Sequence, residues 1–195
     1  ESYNVAPPSV VISPTKMNVL YRGVDNPLEI SVPGVDPANL IVSGAGVKKS
    51  RNGYIADVTQ VSGKEVSIAV KVKDGDEIKN AGSKKFRIKG LPPGQGTIYR
   101  QSGSIKKPLA KGLVKNAQID AEFSDGFAFD LSIRVTSFDI FIDKPYKCKG
   151  DKLSAAAQSA IDRAKPGDKV FIENIQGSTS KSRVRDIAPI IITLN

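Results

Sequence analysis

Between Ser9 and Pro92, short β-prone runs recur with a turn signal after nearly every one, and this spacing most limits the folds open to the chain. The runs are 10–12, 17–21, 28–32, 40–42, 54–58, 66–72 and 86–91. Asp25-Asn26-Pro27, Pro33-Gly34, Asn52-Gly53, Ser62-Gly63 and Asp74-Gly75 punctuate them. Strands of this length and interval predict a β-sandwich. Within 65–73, Val66, Ile68, Val70 and Val72 point one way and polar or small residues the other, so one sheet face is buried and one is wet. An antiparallel immunoglobulin-like sandwich is expected over residues 1–91, without the Cys and Trp core of antibody domains.

Chain breakers concentrate in Gly90-Leu91-Pro92-Pro93-Gly94-Gln95-Gly96, which places a domain boundary there and a second β-rich domain over 92–195. That half opens on Ile98 and Tyr99, passes through a Lys-rich segment at 105–115, and enters a long β-like run at 117–142. Phe127, Phe129, Leu131, Ile133 and Val135 alternate, and Phe138, Ile140 and Ile142 resume after one offset, which predicts a bulge near Ser137. One short α-helix is expected at about 153–165. Ser154 can cap it, Leu153, Ala157, Ala160, Ile161 and Ala164 share a face, and Pro166-Gly167 stops it. Segments 169–175 and 187–194 then read as a returning sheet pair, with Pro189 suggesting an edge position.

The chain has no His, no Trp and one cysteine, Cys148. A His-containing triad, a Cys/His zinc site and an internal disulfide are therefore excluded, and a lone cysteine fits either a reducing compartment or a periplasm. Net charge is +9, shared about equally between the halves. The densest runs are Lys84, Lys85, Arg87 and Lys89; Lys144, Lys147, Lys149 and Lys152; and Lys181, Arg183 and Arg185. The first alternates, as one solvated strand face does. No stretch approaches the roughly 20 apolar residues that span a bilayer, so the segment is expected to be soluble. It opens on Glu1 and not Met, as expected of an excised fragment or a mature product.

Candidate chemistry is thin. Ser-x-x-Lys, an acylation motif that needs its serine at a helix start, occurs at Ser13 to Lys16, Ser104 to Lys107 and Ser178 to Lys181, without its companion motifs. Asp74-Gly75-Asp76-Glu77 has the carboxylates of a calcium loop but not the spacing, and reads as a hairpin turn. Gly44-Ala45-Gly46 and Gly94-Gln95-Gly96 lack the rest of a phosphate loop and read as turns. Glu122 and Asp125 are paired carboxylates beside a turn, with no aromatic platform nearby in sequence. Cys148 lies among lysines that would favour its thiolate were it exposed, but no His is present as base. No catalytic, cofactor or metal residue is assigned, and no enzyme activity is expected. Charge alone leaves a nucleic-acid-binding β domain open, and a bacterial adhesin or carbohydrate-binding module is a further alternative.

The run Ser13-Pro14-Thr15-Lys16-Met17-Asn18-Val19-Leu20-Tyr21-Arg22-Gly23-Val24-Asp25-Asn26-Pro27-Leu28-Glu29-Ile30-Ser31-Val32-Pro33-Gly34-Val35 closely resembles the third-domain signature of the GldM/PorM family of Bacteroidetes. Gly103-Ser104-Ile105-Lys106-Lys107, Ala121-Glu122-Phe123, Phe127-Ala128-Phe129-Asp130, Val135-Thr136-Ser137-Phe138 and Gly167-Asp168-Lys169-Val170-Phe171-Ile172-Glu173-Asn174-Ile175 are similar to its last domain. The resemblance implies the distal periplasmic part of a dimeric, membrane-anchored shaft in gliding motility and type IX secretion. It implies a GldL/PorL-type partner at an N-terminal membrane helix outside this chain. At the far end it implies a ring of a GldK/PorK-type lipoprotein and a GldN/PorN-type protein, with no nucleic acid and no cofactor. The residues that would meet the ring are unassigned.

Overall fold

The computed structural model describes residues 11–14, of which the backbone alone, together with 18–124, 127 and 129–195. It is mainly β and divides into two compact units, residues 1–91 and 92–195.

In the first unit the strands are β1 (Val11–Pro14), β2 (Val19–Tyr21), β3 (Asn26–Ser31), β4 (Leu40–Ser43), β5 (Val47–Ser50), β6 (Gly53–Ala56), β7 (Glu65–Asp74) and β8 (Glu77–Lys89). They form two four-stranded sheets, β1-β3-β6-β5 and β2-β8-β7-β4. This is the ABED and CFG strand arrangement of an immunoglobulin-type sandwich, with the first strand split so that β1 serves one sheet and β2 the other. The expected alternation in β7 is observed: Val66, Ile68 and Val70 are buried. Together with Leu20, Leu28, Ile30, Leu40, Phe86 and Ile88, they make a core drawn from both sheets. β5 is an eighth strand beyond the seven runs. Its Val-Lys-Lys-Ser has too little apolar content to signal itself, and it is defined by pairing with β6.

Asp25-Asn26-Pro27 is more than a turn. Asn26 is 2% exposed, and its side chain spans both sheets. Oδ1 accepts from the Tyr21 amide at 2.7 Å, while Nδ2 donates to the carbonyls of Tyr21 at 2.9 Å, Val24 at 3.2 Å and Ala56 at 2.9 Å. Beside it the Arg22 guanidinium donates to the carbonyls of Val58 at 3.0 Å, Thr59 at 3.4 Å, Val61 at 2.5 Å and Gly63 at 2.6 Å. Thr59 Oγ1 accepts from the Gly23 amide at 3.0 Å. Two side chains of the signature run thus fasten the exit of β2 to β6 and to the loop before β7.

The second unit contains β9 (Gly94–Ile98), β10 (Gln101–Ser104), α1 (Lys111–Asn116), β11 (Ile119–Phe123), β12 (Arg134–Phe141), β13 (Pro145–Lys149), α2 (Ala155–Arg163), β14 (Lys169–Ser178), β15 (Arg183–Val184) and β16 (Ile190–Thr193). The strand order is β11-β9-β10-β16-β14-β12-β13, with β15 beside β14. Ala121 of β11 also bridges Ile133 just before β12, so the sheet curls back on itself. α2 matches the expected helix: Ser154 Oγ accepts from the Ala157 amide at 3.4 Å, and Ala157, Ala160 and Ile161 are buried. The six-residue α1 is additional, and it is tied to α2 by a Lys115–Asp162 ion pair at 2.6 Å.

Two expectations change and one holds. The 117–142 run is not one strand, because the stretch between β11 and β12 is outside both. The bulge near Ser137 is present: register shifts flank Ser137, and Val135, Phe138 and Ile140 are buried on either side of the offset. Its counterpart on β14 is Asn174, at φ 52°, whose Nδ2 donates to Asp139 at 3.0 Å. Pro189 does not mark an edge, since β16 lies between β10 and β14 and begins after that proline.

Gly94 and Gly96 also depart from the reading as turn and loosened connector. Both are buried in β9, where the curl brings the opposite wall against the backbone. A Cβ on Gly96 would lie 2.4 Å from Ile175 Cδ1 and 3.0 Å from the Ala188 carbonyl oxygen. Gly96→Ala is expected to destabilise the second unit by about 1–3 kcal/mol through overpacking, as read by urea unfolding followed at amides of residues 94–195. Asn26→Ala, which strips partners from several buried backbone groups, is expected to cost the first unit about 2–3 kcal/mol when amides of residues 18–89 are followed.

Candidate functional site

The sequence-derived chemical candidates do not assemble. Ser104 ends an exposed strand and Ser178 ends β14, so neither stands at a helix start as acylation requires. The side chain of Ser13, Lys16 and Asp125 lie outside the described residues. Glu122 is exposed and accepts from Gln95 Nε2 at 3.1 Å. Asp74 and Glu77 pair across a two-residue hairpin turn opened by Gly75 at φ 61°, and both carboxylates engage Lys79, at 2.6 and 3.6 Å. The hydrogen bond and charge of Lys79 hold the Asp74 carboxyl below its ordinary range. Gly44-Ala45-Gly46 is a tight turn, with Gly46 at φ 79°. Among the described residues no group of acidic, Cys or His side chains could hold a metal.

Cys148 is buried on the inner side of β13, with the Ser154 amide donating to its Sγ at 3.3 Å. The exposure on which thiolate activation depends is missing. Lys147 and Lys149 instead face outward on the same strand, which also carries Pro145. Lysines and proline are what keep an edge strand from pairing with other chains.

The outer face of the β2-β8-β7-β4 sheet assembles several exposed side chains. On β8 the alternation around buried Phe86 and Ile88 leaves Lys85, Arg87 and Lys89 outward, as the first basic run indicated. Register adds Ser67 beside Lys85, Glu65 beside Arg87, and Ile41 beside Lys71. After the irregularity at Val70/Lys71, Ile78 lies opposite Lys73. Ile41 is 40% and Ile78 60% exposed, each with a lysine beside it in register, Lys71 and Lys73, while Lys85, Arg87, Lys89 and Glu65 lie farther along the same face. The arrangement offers anchors in a basic rim. Sequence reasoning missed both isoleucines: Ile41 lies in Leu-Ile-Val, which also suits the core, and Ile78 stands alone among Asp76, Glu77, Lys79 and Asn80, outside every expected run.

A second exposed feature is the β9–β10 hairpin. Its two turn residues, Tyr99 and Arg100, have φ of 51° and 62°, a conformation for which Asn-Gly is usual and which costs other residues about 1 kcal/mol or more each. Tyr99 is nonetheless half exposed and donates through its hydroxyl to the carbonyl of the similarly exposed Leu113 at 3.0 Å. Tyr and Arg are the residues that anchor protein interfaces.

These surfaces suit protein contact rather than covalent chemistry. Among the described residues no helix is long and apolar enough to cross a membrane. The family model of the GldM third domain matches residues 9–89, and that of the GldM C-terminal domain matches residues 92–195. Comparison with curated proteins finds no match. Two successive domain models that take in nearly the whole chain show that it belongs to the GldM family, structural components of gliding motility and type IX secretion whose C-terminal domains are periplasmic.

Proposed function

We propose that this chain is the distal periplasmic part of a membrane-anchored shaft, linking an inner-membrane motor to the outer-membrane-associated ring. In this reading the shaft is a homodimer. A GldL/PorL-type protein meets it at a membrane helix outside this chain, and a GldK/PorK-type lipoprotein with a GldN/PorN-type protein meets the periplasmic domains. The observation that carries the reading is the Ile41/Ile78 face, an apolar-anchored, basic surface on a chain built from GldM domains. A transmission part needs surfaces of this kind and no catalytic group. The dimer gains nothing from the apolar strand β16, whose Ile190 and Ile192 are buried within their own unit.

Titration calorimetry with the purified ring subcomplex tests the reading, with single- and double-stranded DNA as parallel arms. Saturable ring binding is expected, weakened at least about tenfold by Ile41→Glu with Ile78→Glu and by Lys85→Glu with Arg87→Glu. Binding to DNA alone would replace the shaft reading with one based on charge. Replacing Tyr99-Arg100 by Asn-Gly is expected to raise the stability of the second unit by about 1 kcal/mol or more through relief of the turn. If the turn serves the ring, the same variant binds it more weakly.

A further inference from the structure

A cleft of about 330 Å³ opens on the second unit, lined by Ser132, Arg134, Ser178, Thr179 and Ser180. Its floor follows from strand register. Arg134 of β12 stands opposite Ser178 of β14, and Ser178 stands opposite Arg183 of β15. Directly opposed residues in antiparallel strands share a face, so the two arginines flank one serine in a row across three strands. The neighbouring row of Val135, Gly177 and Val184 faces the core, which puts the arginine row on the outer side.

Among the described residues no carboxylate lines the cleft. Among the described residues, neither Arg134 nor Arg183 takes part in an ion pair. The loop above is closed by its own side chain: Thr179 Oγ1 accepts from the amides of Lys181 at 3.3 Å and Ser182 at 3.1 Å. That hydroxyl is occupied, whereas those of Ser132, Ser178 and Ser180 remain as donors around the arginines.

We propose that this cleft is a binding site for a tetrahedral oxyanion, phosphate or sulfate, either free or as the terminal group of a monoester. The Arg134 guanidinium lines the cleft and Arg183 stands beyond Ser178 in the same cross-strand row, so positive charge suits an anion there, and hydroxyl donors from two loops serve oxygens that a planar carboxylate does not have. Fork-shaped donors also bind phosphate oxygens two at a time, which a lysine cannot do. The site is separate from the Ile41/Ile78 face and does not rest on the shaft reading.

The test is amide and arginine side-chain NMR of the 195-residue chain, titrated at constant ionic strength with inorganic phosphate, sulfate, glycerol 3-phosphate, acetate and chloride. Saturable shifts confined to Ser132, Arg134, Ser178 to Ser182 and Arg183 are expected with phosphate and sulfate. Glycerol 3-phosphate distinguishes the sources: equal binding supports recognition of a terminal group, and its exclusion supports the free ion. Arg134→Lys is expected to weaken binding by about tenfold and Arg134→Ala to abolish saturation. Arg183→Gln weakens it less, and Arg87→Gln leaves it unchanged. Shifts that grow linearly across both units, an equal response to acetate or chloride, or full binding by Arg134→Ala would overturn the proposal.

Discussion

A buried asparagine holds the first unit in register. Apolar contact between two sheets is strong but non-directional, and it would tolerate sliding of one sheet over the other. Asn26 removes that freedom, because its amide satisfies backbone groups of the β2 exit and of β6 simultaneously. A misaligned sandwich would leave those groups buried and unpaired, at about 1–3 kcal/mol each. Arg22 extends the same logic to the loop before β7, where four carbonyls converge on one guanidinium. The most recognisable stretch of the chain is therefore a fold determinant, and partner contacts must be sought elsewhere.

The second unit solves a different problem. A sheet that bends until Ala121 reaches Ile133 has little space inside. Gly96 and Gly177 accept the side chains of Ile175 and Ile133 where any Cβ would intrude. The paired irregularities at Ser137 and Asn174 let β12 and β14 bend together while their buried residues stay inward. Space and curvature, more than any polar clamp, organise this half.

What could be read from the sequence followed the range of the forces involved. The alternation in 65–73, the offset at Ser137 and the cap at Ser154 are local, and each appears where its period or spacing put it. The strand at Val47–Ser50 has a single apolar residue and exists because β6 offers it hydrogen bonds. Gly94 and Gly96 resembled loosening residues because nothing nearby in the chain reveals that Ile175 will press against them. The surface features were least legible. Ile41 sits in Leu-Ile-Val, which is indistinguishable from core until its neighbours are placed, and the Arg134, Ser178, Arg183 row joins residues far apart in sequence.

The parallel pairing of β2 with β8 sets how the first unit would respond to tension along its strands. Val19, Leu20 and Tyr21 lie beside Arg87, Ile88 and Lys89 in the same direction, so tension entering ahead of β2 and leaving after β8 pulls the two strands past each other lengthwise. Their hydrogen bonds then resist together in shear. An antiparallel pair pulled from its open ends would peel apart one bond at a time. Splitting the first strand between two sheets thus places a shear joint between the entry and exit of the chain, reinforced at its end by the Arg22 amide donating to the Lys89 carbonyl at 2.9 Å.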